Sequence, residues 1–160
     1  MYQIKQIPED FVVKEISNVK IKDSLKDKGI YAYFKLTKKE RNTIDAIKLI
    51  SRKLGIPEKD IGFAGSKDRN AITEQMISIK EVKSKNYKEK ASKLELKDIT
   101  LEFISYGENP ICLGDLQGNY FEIVIRNLDA SILKEKAKII NYFDEQRFGK
   151  NNIKVGRNII

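Results

Sequence analysis

Apolar and polar residues alternate with a period of two through much of this chain, and a few stretches switch to a helical period. Tyr2–Ile7 and Phe11–Ile16 are short alternating segments separated by the turn signal Pro8-Glu9-Asp10, and both read as strands. Lys20–Asp23 is polar and reads as loop, whereas Ile30–Leu36 is β-branched and aromatic and reads as a third strand. The period then changes. Asn42-Thr43 offers an N-cap, and Ile44, Ile47, Ile50 and Leu54 follow at three- and four-residue steps, with Gly55 and Pro57 as stop signals.

Beyond the helix, Ile61-Gly62-Phe63 runs into a glycine loop, Gly65-Ser66-Lys67-Asp68-Arg69, and alternation resumes over Ala71–Ile79. Tyr87–Leu94 reads as a short helix and Thr100–Tyr106 as a strand. Tyr120–Arg126 reads as one strong strand with Phe121, Ile123 and Ile125 on one face. Asp129-Ala130-Ser131 caps a further helix, Ile132–Phe143, and the text after Gly149 is rich in Asn and Lys. Strands with a few interspersed helices point to an α+β fold with a mixed, mainly antiparallel sheet and flanking helices. The ending at Ile160 carries no terminal helix or polar tail, so the expectation is an incomplete unit.

Composition narrows the chemistry. The 160 residues include one Cys (Cys112) and no His, so His-based metal sites, Cys-rich zinc sites, Ser-His-Asp triads and disulfide scaffolds are not expected. The net charge of +8 favours polyanionic partners, nucleic acid above all, although a Lys-rich solvated surface gives the same balance. No apolar run reaches the length of a membrane span, and the N-terminus lacks a secretory core, so a cytoplasmic protein is expected.

The candidate chemistry lies in Gly62-Phe63-Ala64-Gly65-Ser66-Lys67-Asp68-Arg69-Asn70-Ala71-Ile72-Thr73-Glu74-Gln75. Its two glycines permit sharp turns. Opposite charge within a few ångströms favours an ionised carboxylate, so an Asp between Lys67 and Arg69 has the makings of a nucleophile or base. An ordinary charged turn gives the same string. The segment departs from a P-loop in its glycine spacing and lacks the Ser/Thr after Lys67. A KH loop would join two helices, which this segment does not. Three further segments carry turn and aromatic chemistry: Pro8–Glu15 with Phe11, Leu113–Phe121 with Asn119, and Asn141–Gly149. Each has a structural reading as a core aromatic, a Gly-Asn turn or a helix end.

In order, these four segments resemble the TruD family of tRNA pseudouridine synthases. The family's run G-F-A-G-x-K-D-x-x-A-x-T-x-Q falls on Gly62–Gln75, P-E-D-F-x-V-x-E on Pro8–Glu15, L-G-x-L-x-G-N-x-F on Leu113–Phe121, and N-Y-F-x-x-Q-R-F-G on Asn141–Gly149. The resemblance implies Asp68 as catalytic nucleophile with Lys5 as the basic residue beside it. It implies Phe11 and Asn119 as contacts to the target nucleotide and Phe121 as the ring on the uracil. Lys67 belongs with the substrate-binding residues and has no chemical step of its own. The substrate implied is a uridine in tRNA, commonly at position thirteen, or in another RNA, and the isomerisation requires neither cofactor nor metal.

By the same resemblance, residues 1–149 are the N-terminal portion of a catalytic domain and 150–160 the start of the family's inserted region. The partners implied are tRNA and a missing C-terminal half of the catalytic domain, with no membrane. A fragment, a truncated or inactive RNA-binding remnant, and half of a split enzyme all fit this length.

Overall fold

The computed structural model describes residues 2–20, 29–81 and 86–129, and its elements lie within one compact unit ending at Leu128. The expected helix Ile132–Phe143, the Asn141–Gly149 motif, residues 150–160 and most of the Lys20–Asp23 loop fall outside the described residues.

The main sheet is built from β2 (Phe11–Ser17), β3 (Tyr31–Lys39), β4 (Ile61–Phe63), β5 (Ile72–Lys80), β6 (Ile99–Gly107) and β7 (Leu116–Ile123). Its order is β6-β3-β5-β2-β7, with β4 also on β5. The β2–β5 pair is parallel and every other described pair is antiparallel, so the sheet is mixed and mainly antiparallel as expected. A separate two-stranded ribbon joins β1 (Gln3–Ile4) to β8 (Ile125–Arg126). Among the described residues no helix is long and apolar enough to cross a membrane.

Two helices, α1 (Thr43–Leu54) and α2 (Tyr87–Ser92), contribute to the core with Phe34, Leu36, Ile77, Ile79 and Leu101 of the sheet. Asn42 caps α1 by accepting the Asp45 N–H at 2.7 Å, and Gly55 ends it in the left-handed conformation (φ 66°). The buried stripe of α1 is Thr43, Ala46, Ile47, Ile50 and Ser51, whereas Ile44 is 42% exposed. The helix is therefore rotated from the expected Ile44 stripe. Thr43 turns inward because its hydroxyl is engaged below the sequence's glycine loop.

Two strand expectations change. Only Gln3–Ile4 of Tyr2–Ile7 is strand: Lys5 takes a left-handed φ of 54°, and the buried Asp10 carboxylate accepts the N–H groups of Gln6 (3.1 Å) and Ile7 (3.3 Å), turning the chain. The Tyr120–Arg126 strand begins earlier, at Leu116, and breaks at Val124, whose N–H bonds Asp10 O at 2.8 Å. Phe121 and Ile123 still share a face opposite Val13 and Phe11, but Ile125 crosses to the ribbon opposite Ile4.

Candidate active site

The loop between β4 and β5 is fastened from several directions. Thr43 Oγ1 accepts the Lys67 N–H (2.9 Å) and donates to Gln75 Oε1 (2.9 Å), while Gln75 Nε2 donates to Gly65 O (3.0 Å). All of these groups except Gly65 belong to buried residues, so each bond forms away from competing water. Gly62 is needed for close approach, since a Cβ there would lie 2.3 Å from Ile111 O. Neither Gly62 nor Gly65 has positive φ, so the sharp-turn reading of this glycine pair is not what the backbone uses.

Asp68 projects from this loop with its side chain about one-third exposed (35%). The cation that meets it is Lys5, with Nζ 3.3 Å from Oδ2, although the two are 63 positions apart. The same ammonium lies 3.7 Å from the centroid of the Phe11 ring, within range of a cation–π contact. The Phe11 and Phe121 rings are 5.9 Å apart and tilted by 52°. Carboxylate, ammonium and two aromatic rings are thus one contiguous group. Phe11 is buried and Phe121 is 51% exposed, so the outer ring offers a free face.

Asn119 is exposed, opposite Glu15 in the β2–β7 register and two residues before Phe121, hence on the same face of β7. Lys67, grouped by sequence with the substrate contacts, turns away: its side chain is 4% exposed and its Nζ lies 2.5 Å from Oε2 of the fully buried Glu15 side chain. That placement makes it a structural anchor. Glu15 also accepts the Met76 N–H with its other oxygen (3.1 Å), so the last residue of the Pro8–Glu15 motif ties β2 to β5 and to the loop.

Asp10, in the same motif, receives a two-pronged Arg126 guanidinium at 2.8 and 2.7 Å. Arg126 holds the Asp10 carboxyl below the usual carboxylate range, against burial, with the Ile7 and Gln6 N–H groups adding to the effect. This pair fixes the segment that carries Lys5. Sequence reasoning missed it because an Asp–Arg partnership across 116 positions leaves no local signature. It missed Lys38 for the same reason: this lysine is buried, its Nζ donates to main-chain carbonyls, and burial lowers it to about 8.

Among the described residues no group of three or more His, Cys, Asp or Glu is arranged to hold a metal ion. A cleft lined in part by Asn18, Tyr33, Asn109 and Asp115 contains none of the residues around Asp68.

Residues 2–160 match the family described as tRNA pseudouridine synthase D (TruD). The chain is 42% identical over 156 residues to the tRNA pseudouridine synthase D of Aquifex aeolicus, covering 92% of this chain and 39% of that protein. It is 40% identical over 161 residues to the probable tRNA pseudouridine synthase D of Thermococcus onnurineus, covering 94% of this chain and 36% of that protein. A crystal structure described as the putative tRNA pseudouridine synthase D (TruD) from Methanosarcina mazei superposes with a TM-score of 0.70 at 37% identity, over 79% of this chain and 27% of that one. The chain thus spans less than two fifths of the length of these relatives.

Proposed function

The chain belongs to the tRNA pseudouridine synthase D (TruD) family, and on that premise we propose that it supplies the reacting carboxylate of an enzyme that isomerises a uridine in tRNA to pseudouridine. The observation that carries this reading is the Asp68 carboxylate 3.3 Å from the Lys5 ammonium, which itself sits over the Phe11 ring that neighbours Phe121. The reaction breaks the N1–C1′ glycosidic bond, turns the uracil, and joins C5 to C1′. The C5 proton is released to solvent and N1 takes up a proton, so the step balances without any redox partner or group donor.

Asp68 serves this chemistry either by attack on C1′ or by helping to form a glycal intermediate. Lys5 keeps the carboxylate oriented and compensates its charge beside an apolar ring. The target base must leave its stack, at a cost of a few kcal/mol. Stacking on the exposed Phe121 ring offsets this by about 1–3 kcal/mol. Asn119, on the same face, is suited to an edge of the base. The chain's net charge of +8 holds the phosphates around it. The uridine we assign as target is the one at position thirteen of the tRNA.

The test is tritium release from tRNA labelled at uracil C5, using the full-length protein. We expect release by the wild type and a loss of at least about a thousandfold in Asp68→Asn. Equal release by both proteins removes Asp68 from the chemistry, and mapping the modified residue checks the position.

A further inference from the structure

One buried cation grips the main chain on both sides of Asp68. Lys38 lies near the end of β3 with 1% of its surface exposed. Its Nζ donates to Arg41 O at 2.6 Å, Asp68 O at 2.9 Å and Lys67 O at 3.4 Å. An ammonium has three donors and no acceptor, so the group is saturated by carbonyls alone. The Lys67 and Asp68 carbonyls belong to the two peptide planes flanking the Asp68 Cα. Holding both planes fixes the direction of the Cα–Cβ bond and with it the path of the carboxylate.

We propose that Lys38 is a positioning residue that sets the aim of the Asp68 carboxylate by holding the backbone before and after it. The inference rests on the reading of Asp68 as the reacting group. The other main-chain holds on the loop act to either side, on Gly65 O and the Lys67 N–H before Asp68 and on Arg69 O and Ala71 O after it. Among the described hydrogen bonds, only that from Lys38 reaches the Asp68 carbonyl. No carboxylate among the described residues forms an ion pair with it, and a buried cation without one is costly. A leucine or methionine would fill the space without that penalty, so what the ammonium supplies is its three directed donors.

The protonation state matters to the grip. Burial lowers Lys38 to about 8, with Asp68 raising it and Lys67 lowering it further. The charged groups around it are Asp68 and Lys67 on the loop, with Lys5 on Asp68 and Glu15 of β2 on Lys67. Directly opposite on β5 and β6 stand Thr73 and Ile99, which do not titrate. A neutral amine keeps two N–H donors and turns a lone pair towards the third carbonyl, so the loop loosens as the proton leaves.

The experiment compares wild type, Lys38→Met and Asp68→Asn as full-length proteins, measuring kcat, KM for tRNA and the pH profile of tritium release. A displacement of about 1 Å costs about a hundredfold in turnover, so Lys38→Met should lose about that factor in kcat with KM little changed. Wild-type kcat should fall above about pH 8, and Lys38→Met should lack that fall. If Lys38→Met does not fold, the wild-type profile decides: a fall near pH 8 supports the inference and a flat profile overturns it. Full kcat in Lys38→Met with an inactive Asp68→Asn overturns the role of Lys38 alone. Full activity in Asp68→Asn overturns both readings.

Discussion

The Lys67 ammonium lies 2.5 Å from Glu15 Oε2 with both side chains out of solvent, so this cation beside Asp68 in sequence belongs to the framework in space. Removing one partner of a buried pair leaves the other charge stranded, which costs about 3–5 kcal/mol. Lys67→Met should therefore lose stability on that scale in urea unfolding. Adding Glu15→Gln should recover part of the loss, because it removes the stranded charge while keeping an acceptor for the Met76 N–H.

Lys5 should behave oppositely. Its ammonium is partly exposed and touches Asp68 and the Phe11 ring. Lys5→Met should lower turnover about 100-fold, the scale of losing one preorganised electrostatic contact, with a melting temperature near that of the wild type. A large drop in melting temperature with little change in turnover would reassign Lys5 to the framework.

Two touching rings should separate in the same way. Phe11 is buried, and truncating a buried Phe costs about 3–5 kcal/mol. Phe121 is half exposed, so Phe121→Ala should leave stability almost unchanged. Its effect should fall on the tRNA substrate, by the 1–3 kcal/mol per base of an aromatic stack or about 5- to 160-fold in kcat/KM. Thermal melts beside steady-state kinetics check both.

What the sequence made legible divides along local and non-local lines. The glycine loop, the helix with its Asn42 cap, and the strands at Tyr31, Ile72 and Ile99 all carry their own period or punctuation, and they form close to where expected. Asp68, Lys5, Phe11 and Phe121 do come together. What was illegible depended on pairings across the fold. The Lys5 turn needs Asp10, Asp10 needs Arg126, and the inward rotation of Thr43 needs Lys67 and Gln75. Lys67 and Asp68 are adjacent letters whose side chains serve different ends, a distinction no spacing rule contains.

The Asp10–Arg126 pair should govern acid stability. Arg126 lowers the folded-state pKa of Asp10 below the ordinary value of 3.8. Such a carboxylate contributes stability that is present above its unfolded pKa and is lost as pH falls through the folded one. Arg126→Met removes the main cause of the lowering, so its acid-unfolding midpoint should move to higher pH than that of the wild type. Circular dichroism across the acid range measures this, and an unmoved midpoint would contradict it.

Lys38 makes stability and turnover move in opposite directions at alkaline pH. Its folded pKa of about 8 lies below the ordinary 10.5, so between these values the unfolded chain holds the proton that the folded one has released. Stability from this group alone therefore rises with pH over that window, while the loosened loop lowers kcat. Lys14, Lys35 and Lys39, each raised first by a hydrogen bond to a carboxylate, keep their contribution throughout it. Urea midpoints of wild type and Lys38→Met from pH 8 upward should diverge accordingly.

The bond between Asp10 and Arg126 spans 116 positions, so the local turn that Asp10 makes with Gln6 and Ile7 is tied to the far end of the described unit. Ring closure over that separation costs chain entropy that grows only slowly with length, by about 0.6 kcal/mol for each doubling. Without Arg126 the local turn would keep its Gln6 and Ile7 bonds to Asp10 and lose only the clamp on that carboxylate. The approach of Lys5 to Asp68 is thereby made to depend on both ends of the described unit at once.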